Sequence, residues 1–113
     1  MMDIWIEIGR REIDGYTVKI SKTWEDMSVR DMYDEESEFF LKEIEDKIAD
    51  CELDWFQLRV QATKRDYVLG ETYCGGFLYV DAKDVLDSDS VIDMTYDAIA
   101  NAVVESKILK ELL

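Results

Sequence analysis

Apolar and polar positions alternate one for one in three stretches of this chain, and a period of two predicts strands. In the run from residue 3 to 8, Ile4, Ile6 and Ile8 fall on one side and Trp5 and Glu7 on the other. Tyr16, Val18 and Ile20 repeat the pattern against Thr17, Lys19 and Ser21. Asp14-Gly15 stands between these runs as a turn signal, so together they predict an antiparallel hairpin. Phe56, Leu58, Val60 and Ala62 alternate with Trp55, Gln57, Arg59, Gln61 and Thr63 in a third strand that ends near Lys64-Arg65-Asp66. Tyr67 to Leu69 and Phe77 to Val80 predict two shorter strands, a second hairpin or meander interrupted by Gly70 and Gly75-Gly76.

Two other stretches have the helical period. Phe40, Leu41, Ile44, Ile48 and Cys51 form one apolar stripe, which predicts an amphipathic helix over 34–51. Its first turn, rich in Asp34, Glu35, Glu36 and Glu38, suits the positive end of a helix dipole. Ser28 with Asp31, or Thr23 with Asp26, marks a cap for an earlier turn, and 22–33 reads as loop or short helix. Near the C-terminus, Ser90 and Asp93 have the spacing of a capping box for a helix over 91–111. Its expected apolar face is Ile92, Tyr96, Ile99 and Val103, with Ala100, Val104 and Ile108 beside it, and Val85 and Leu86 suggest a short helical turn before it.

The order ββαβ(ββ)α predicts one α+β domain over 1–113, a four- or five-stranded mainly antiparallel sheet with two helices packed on one face. At 113 residues, 48% hydrophobic and 12% aromatic, the chain has ample material for a single core. In this arrangement the isoleucine side of the first strand and the Phe56/Leu58/Val60 side of the third meet the helices. The opposite sheet face carries Trp5, Lys19, Gln57, Arg59 and Gln61, a surface suited to self-association as a homodimer.

Charge changes the picture from a generic domain to a polarised one. The net charge is −14, and residues 25–54 hold thirteen acids against three bases, while 1–24 are balanced at four of each. Residues 81–113 add eight acids against three bases. Such concentration predicts a surface for a basic partner, or one that imitates a polyanion. From 31 to 50 the acids are Asp31, Asp34, Glu35, Glu36, Glu38, Glu43, Glu45, Asp46 and Asp50. Were this segment wholly helical, it would place about one carboxylate per 3.3 Å of axis, close to the roughly 3.4 Å per phosphate of a DNA strand. Asp81, Asp84, Asp87, Asp89, Asp93 and Asp97 are candidates to extend the field.

Chemical readings fare less well. Asp87-Ser88-Asp89 begins like a calcium loop, but the glycine position falls on Ile92 and the terminal bidentate position on Ala98. The absence of histidine removes the commonest general base and metal ligand. Cys51 and Cys74 have neither disulfide-scaffold nor metal-knuckle spacing and read as reduced structural residues. No glycine-rich phosphate loop is present, and direct nucleic-acid binding is disfavoured by the sign of the charge. The expectation is therefore a non-enzyme with no cofactor. Its start lacks a signal-peptide pattern and no stretch has the length of a membrane helix, which predicts a cytoplasmic protein without membrane contact.

In size and charge the chain resembles small acidic inhibitors such as phage anti-restriction and anti-CRISPR proteins, or immunity proteins that neutralise basic nuclease toxins. That resemblance implies occlusion of a basic, nucleic-acid-handling protein and carries over no functional positions; the charge pattern itself marks the nine acids above as the expected partner-binding set. Tyr33, Phe39 and Trp24 are candidate apolar anchors at the edge, with core packing as their ordinary role. The alternatives are a self-associating structural module with a solvated acidic face and a metal-dependent carboxylate enzyme.

Overall fold

In the computed structural model, which describes residues 4–112, Asp14 and Gly15 both adopt positive φ, 54° and 84°. Two successive left-handed residues make a turn whose twist matches that of the flanking strands. They join β1 (Ile6–Ile13) to β2 (Tyr16–Trp24), paired antiparallel from Ile13 and Tyr16 outward. After α1 (Val29–Met32) and α2 (Glu38–Ala49), β3 (Asp54–Lys64) and β4 (Tyr67–Tyr79) complete a four-stranded antiparallel sheet in the order β1-β2-β3-β4. A 3₁₀ segment, Ala82–Asp87, leads into α3 (Asp89–Leu112). The protein is α+β, as the alternation predicts.

The main core forms on one face of the sheet. Tyr16, Val18 and Ile20 from β2 and Phe56, Leu58, Val60 and Ala62 from β3 bury against Val85 and α3. Each of these sheet residues lies in phase with its neighbours, so one face takes the whole apolar set. β1 departs from the expected pattern. Ile8 is the extra residue of a bulge between Glu7 and Gly9, which puts Gly9, Arg11 and Ile13 opposite Ile20, Val18 and Tyr16. Ile4 and Ile6 are left 76% and 54% exposed, so of the expected isoleucine face only Ile8 packs, partly buried, against the main core. Asp3, at the head of that alternating run, lies outside the described residues. Gly9 is the close-approach point of this edge: a Cβ there would stand 2.8 Å from Leu86 Cδ2. Beside it Arg11 donates to the Leu86 carbonyl at 2.7 Å.

The region expected as two short strands is the single β4. Gly75 and Gly76 are extra residues opposite Gln57, between the pairs Leu58–Cys74 and Phe56–Phe77, and the strand continues through them. Gly70 marks no break, because α3 crosses the strand there.

That crossing also rotates α3 away from the expected face. The buried residues are Val91, Met94, Thr95, Ala98, Ile99 and Ala102, while Ile92, Tyr96, Val103, Val104 and Ile108 are exposed. Small residues win the interface because they let helix and strand backbones approach closely. Ser88, two residues before the expected cap, starts the helix by accepting from the Val91 amide at 3.3 Å.

The two long helices do not share a face. Leu41 and Ile44 of α2 bury with Val29, Trp55 and, at its margin, Leu78. Trp55 and Leu78 pair across β3 and β4 one residue out of phase with Phe56 and Phe77, so they project to the opposite side of the sheet. A second, smaller core forms there at one end, tied by Trp55 Nε1 donating to the Met27 carbonyl at 2.7 Å.

Candidate functional site: an acidic turn and an apolar cleft

The acidic segment is not one helix. Ser28 caps α1 by accepting from the Asp31 amide, and Ser37 caps α2 by accepting from the Phe40 amide. A second serine cap forces the chain between Met32 and Ser37 out of helical geometry. The expected 34–51 helix therefore begins four residues later, at Glu38. Asp34, Glu35 and Glu36 lie in the intervening turn, and the even DNA-like spacing along an axis is lost.

Nor are all nine acids free. Arg30 donates to both Glu38 and Glu45, with Arg30 Nη2 2.7 Å from Glu45 Oε1, and Lys47 stands 3.4 Å from Glu43. The two carboxylates, bonding first from Glu38 and then from Glu45, raise the Arg30 pKa above its ordinary value. Reciprocally, the bond from Arg30 holds the Glu38 carboxyl below the usual carboxylate range. Asp31, Asp34, Glu35, Glu36, Asp46 and Asp50 are exposed and form no ion pair among the described residues. Three candidate acids are thus spoken for, and six are presented to solvent.

Two of the three candidate aromatic anchors face solvent. Phe39, directly after Glu38, is 82% exposed, and Trp24 is 63% exposed, whereas Tyr33 packs against Trp55 with ring centroids 6.4 Å apart. Core packing, the ordinary role for such residues, holds for Tyr33 alone.

Between the β2–α1 connection and the C-terminal half of α2, toward the end of that helix away from the turn, runs an open cleft of about 480 Å³. Met27, Val29, Ile48, Ala49, Cys51 and Trp55 supply its apolar lining, and Glu25, Asp26 and Glu45 contribute carboxylates. Glu25 is the structural one. It is buried, accepts from the Met27 and Gly76 amides at 3.1 Å each, and so fixes the connection onto the β4 bulge. Sequence reasoning missed Arg30 and Glu25. Arg30 had a signal, as the sole base between residues 25 and 41; Glu25 had none, because its acceptor role depends on a glycine amide 51 positions away.

The second acidic block stands apart from the first. Asp81 caps the 3₁₀ segment through the Lys83 amide, Asp87 lies 3.9 Å from Arg11, and Asp89 opens α3. These elements cover the main-core face, opposite α1 and α2, so the blocks do not join into one field. Also opposite the main core, the sheet displays the expected Trp5 and Arg59. The guanidinium sits 4.6 Å above the Trp5 ring, and Tyr73 meets the same ring edge-on at 5.9 Å. Loss of solvent around Tyr73, with the Glu71 carboxylate beside it, raises its phenol pKa.

Among the described residues no three acidic or thiol side chains converge as a metal ligand set, and no helix is long and apolar enough to cross a membrane. Searches of known protein families, curated proteins and solved structures find no match to this chain.

Proposed function

We propose that this chain is a non-enzymatic inhibitor or binding protein that occludes a basic, nucleic-acid-handling partner. The observation that carries the reading is the capped turn. Asp31, Asp34, Glu35 and Glu36 stand exposed and form no ion pair among the described residues, and the ring of Phe39, three positions on in the chain, faces solvent. Carboxylates of this kind attract lysines and arginines that otherwise grip phosphates, and an adjacent aromatic ring supplies the desolvated anchor that charge alone lacks. Glu38, Glu43 and Glu45 serve instead to stiffen the helices beneath. On this reading the partner meets a compact acidic corner, with Asp46 and Asp50 at the far end of α2 setting its reach, and the class of partner is that met by anti-restriction, anti-CRISPR or nuclease-immunity proteins.

The test is capture of nucleic-acid-handling proteins from the native host or its competitors. It compares the natural chain with Asp34→Asn/Glu35→Gln/Glu36→Gln at low and high salt. Retention that is lost in the triple variant and released by salt supports the proposal. A complex indifferent to both overturns it.

A second reading, self-association, is favoured by the end of α3. Val104, Ile108, Leu109 and Leu112 are exposed on a helix whose last buried residue is Ala102. Sedimentation of the natural chain and Ile108→Asp separates this reading from the first.

A further inference from the structure

We propose that the cleft between the β2–α1 connection and the C-terminal half of α2 is a receptor for one long cationic side chain, lysine or arginine, projecting from a basic polypeptide. This deepens the function proposed above and rests on it. The cleft pairs two properties that a lysine or arginine also pairs: an apolar wall for the methylene stem and negative charge for the head. Met27, Ile48, Ala49 and Trp55 give the wall. Of the carboxylates, Glu25 is engaged by two backbone amides and Glu45 by Arg30, but Asp26 has no ion-pair partner among the described residues. Asp50 and Glu52 neighbour Cys51 in the sequence and likewise form no ion pair among the described residues. A purely apolar occupant would leave that charge uncompensated. A short cation would reach the rim and leave the wall wet. Only a stem of several carbons ending in a cation satisfies both.

Cys51 provides a built-in reporter, since its exposed thiol lines the cleft while the equally exposed Cys74 lies elsewhere, on β4. The probe is a decapeptide of alternating lysine and glycine, compared with one carrying diaminobutyrate in place of lysine. The two have the same charge at about pH 6 but differ in stem length. Alkylation of Cys51 is expected to slow about fivefold with the lysine peptide and much less with the short one, as stem burial requires, while Cys74 keeps its rate. Ala49→Trp, which fills the cleft from an exposed position without changing charge, is expected to lower lysine-peptide affinity to that of the short peptide. Circular dichroism confirms that the variant is folded.

Equal binding of both peptides at low salt, with Cys51 unprotected and Ala49→Trp without effect, overturns the cleft and leaves the acidic corner standing. Failure of both peptides to bind at low salt overturns the cleft and the acidic corner together.

Discussion

Arg30 holds Glu45 at 2.7 Å across fifteen positions of sequence, and the same guanidinium reaches Glu38. One cation therefore anchors the single turn of α1 to both the start and the middle of α2. Because the fold draws Glu38 below the ordinary carboxylate range, the pair adds stability above that range and loses it as pH falls through the depressed value. Replacing Arg30 with methionine removes this contribution. The variant's melting temperature should therefore fall less steeply than the natural chain's between about pH 5 and pH 3. Thermal unfolding followed by circular dichroism at each pH checks this, and parallel slopes would refute it.

Gly70 is the tightest point of the main core. A Cβ there would stand 2.1 Å from the Ala98 carbonyl oxygen and 2.5 Å from the Ala102 amide nitrogen, both rigid helix backbone. Gly70→Ala should therefore lift α3 from β4 and cost about 3 kcal/mol, the upper end for overpacking. Gly15→Ala is the control: nothing lies within 4 Å of its Cβ, and only its φ of +84° resists the change. That substitution should cost about 1 kcal/mol. Denaturant titration of the two variants measures the difference.

Much of this fold can be read along the chain, because alternation is a local property. Phe56, Leu58, Val60 and Ala62 declare their face in seven residues, and Asp14-Gly15 declares its turn. The misreadings arise where two distant elements decide together. Nothing local says that Gly70 receives α3 instead of ending a strand, and without that contact the larger Ile92 and Tyr96 look like better core residues than Ala98 and Ala102. The side on which α2 docks rests on a single step of phase, Trp55 against Phe56. For the candidate site, the nine acids are plain in the sequence, but their division into paired and presented groups depends on where Arg30 reaches.

The second hairpin contains two residues that chemistry would not choose. Arg65 and Asp66 both hold positive φ, 52° and 66°, in the turn between β3 and β4. Left-handed backbone costs a residue with a side chain about 1–2 kcal/mol, least for Asp and Asn and nothing for Gly. The pair Arg65→Asn/Asp66→Gly supplies the residues this turn geometry favours. It should stabilise the protein by about 1 kcal/mol, raising the melting temperature by about 4 °C.

Thr95 presents a different opportunity, since its Oγ1 is buried without a hydrogen-bond partner among the described residues. Valine has nearly the same shape and leaves no polar atom to desolvate. Thr95→Val should therefore gain about 1 kcal/mol in denaturant titration. A loss of stability would mean that the hydroxyl is satisfied within the helix.

Salt should act in opposite directions on folding and on partner binding. The net charge of −14 is a self-repulsion that the folded chain must contain, and ions screen it over about 10 Å at 0.1 M. Melting temperature should therefore rise as sodium chloride increases, most steeply at the low end where screening is weakest. Attraction between the Asp31–Glu36 corner and a basic partner is screened by the same ions, so its dissociation constant should increase over the same range, chiefly through slower association. Self-association through Ile108 and Leu112 would follow the folding trend, because two bodies of like charge approach more easily in salt. Melting curves and binding kinetics recorded in one series of buffers bring the signs side by side. A partner complex that tightens with salt would place the contact on the apolar end of α3, away from the acidic corner.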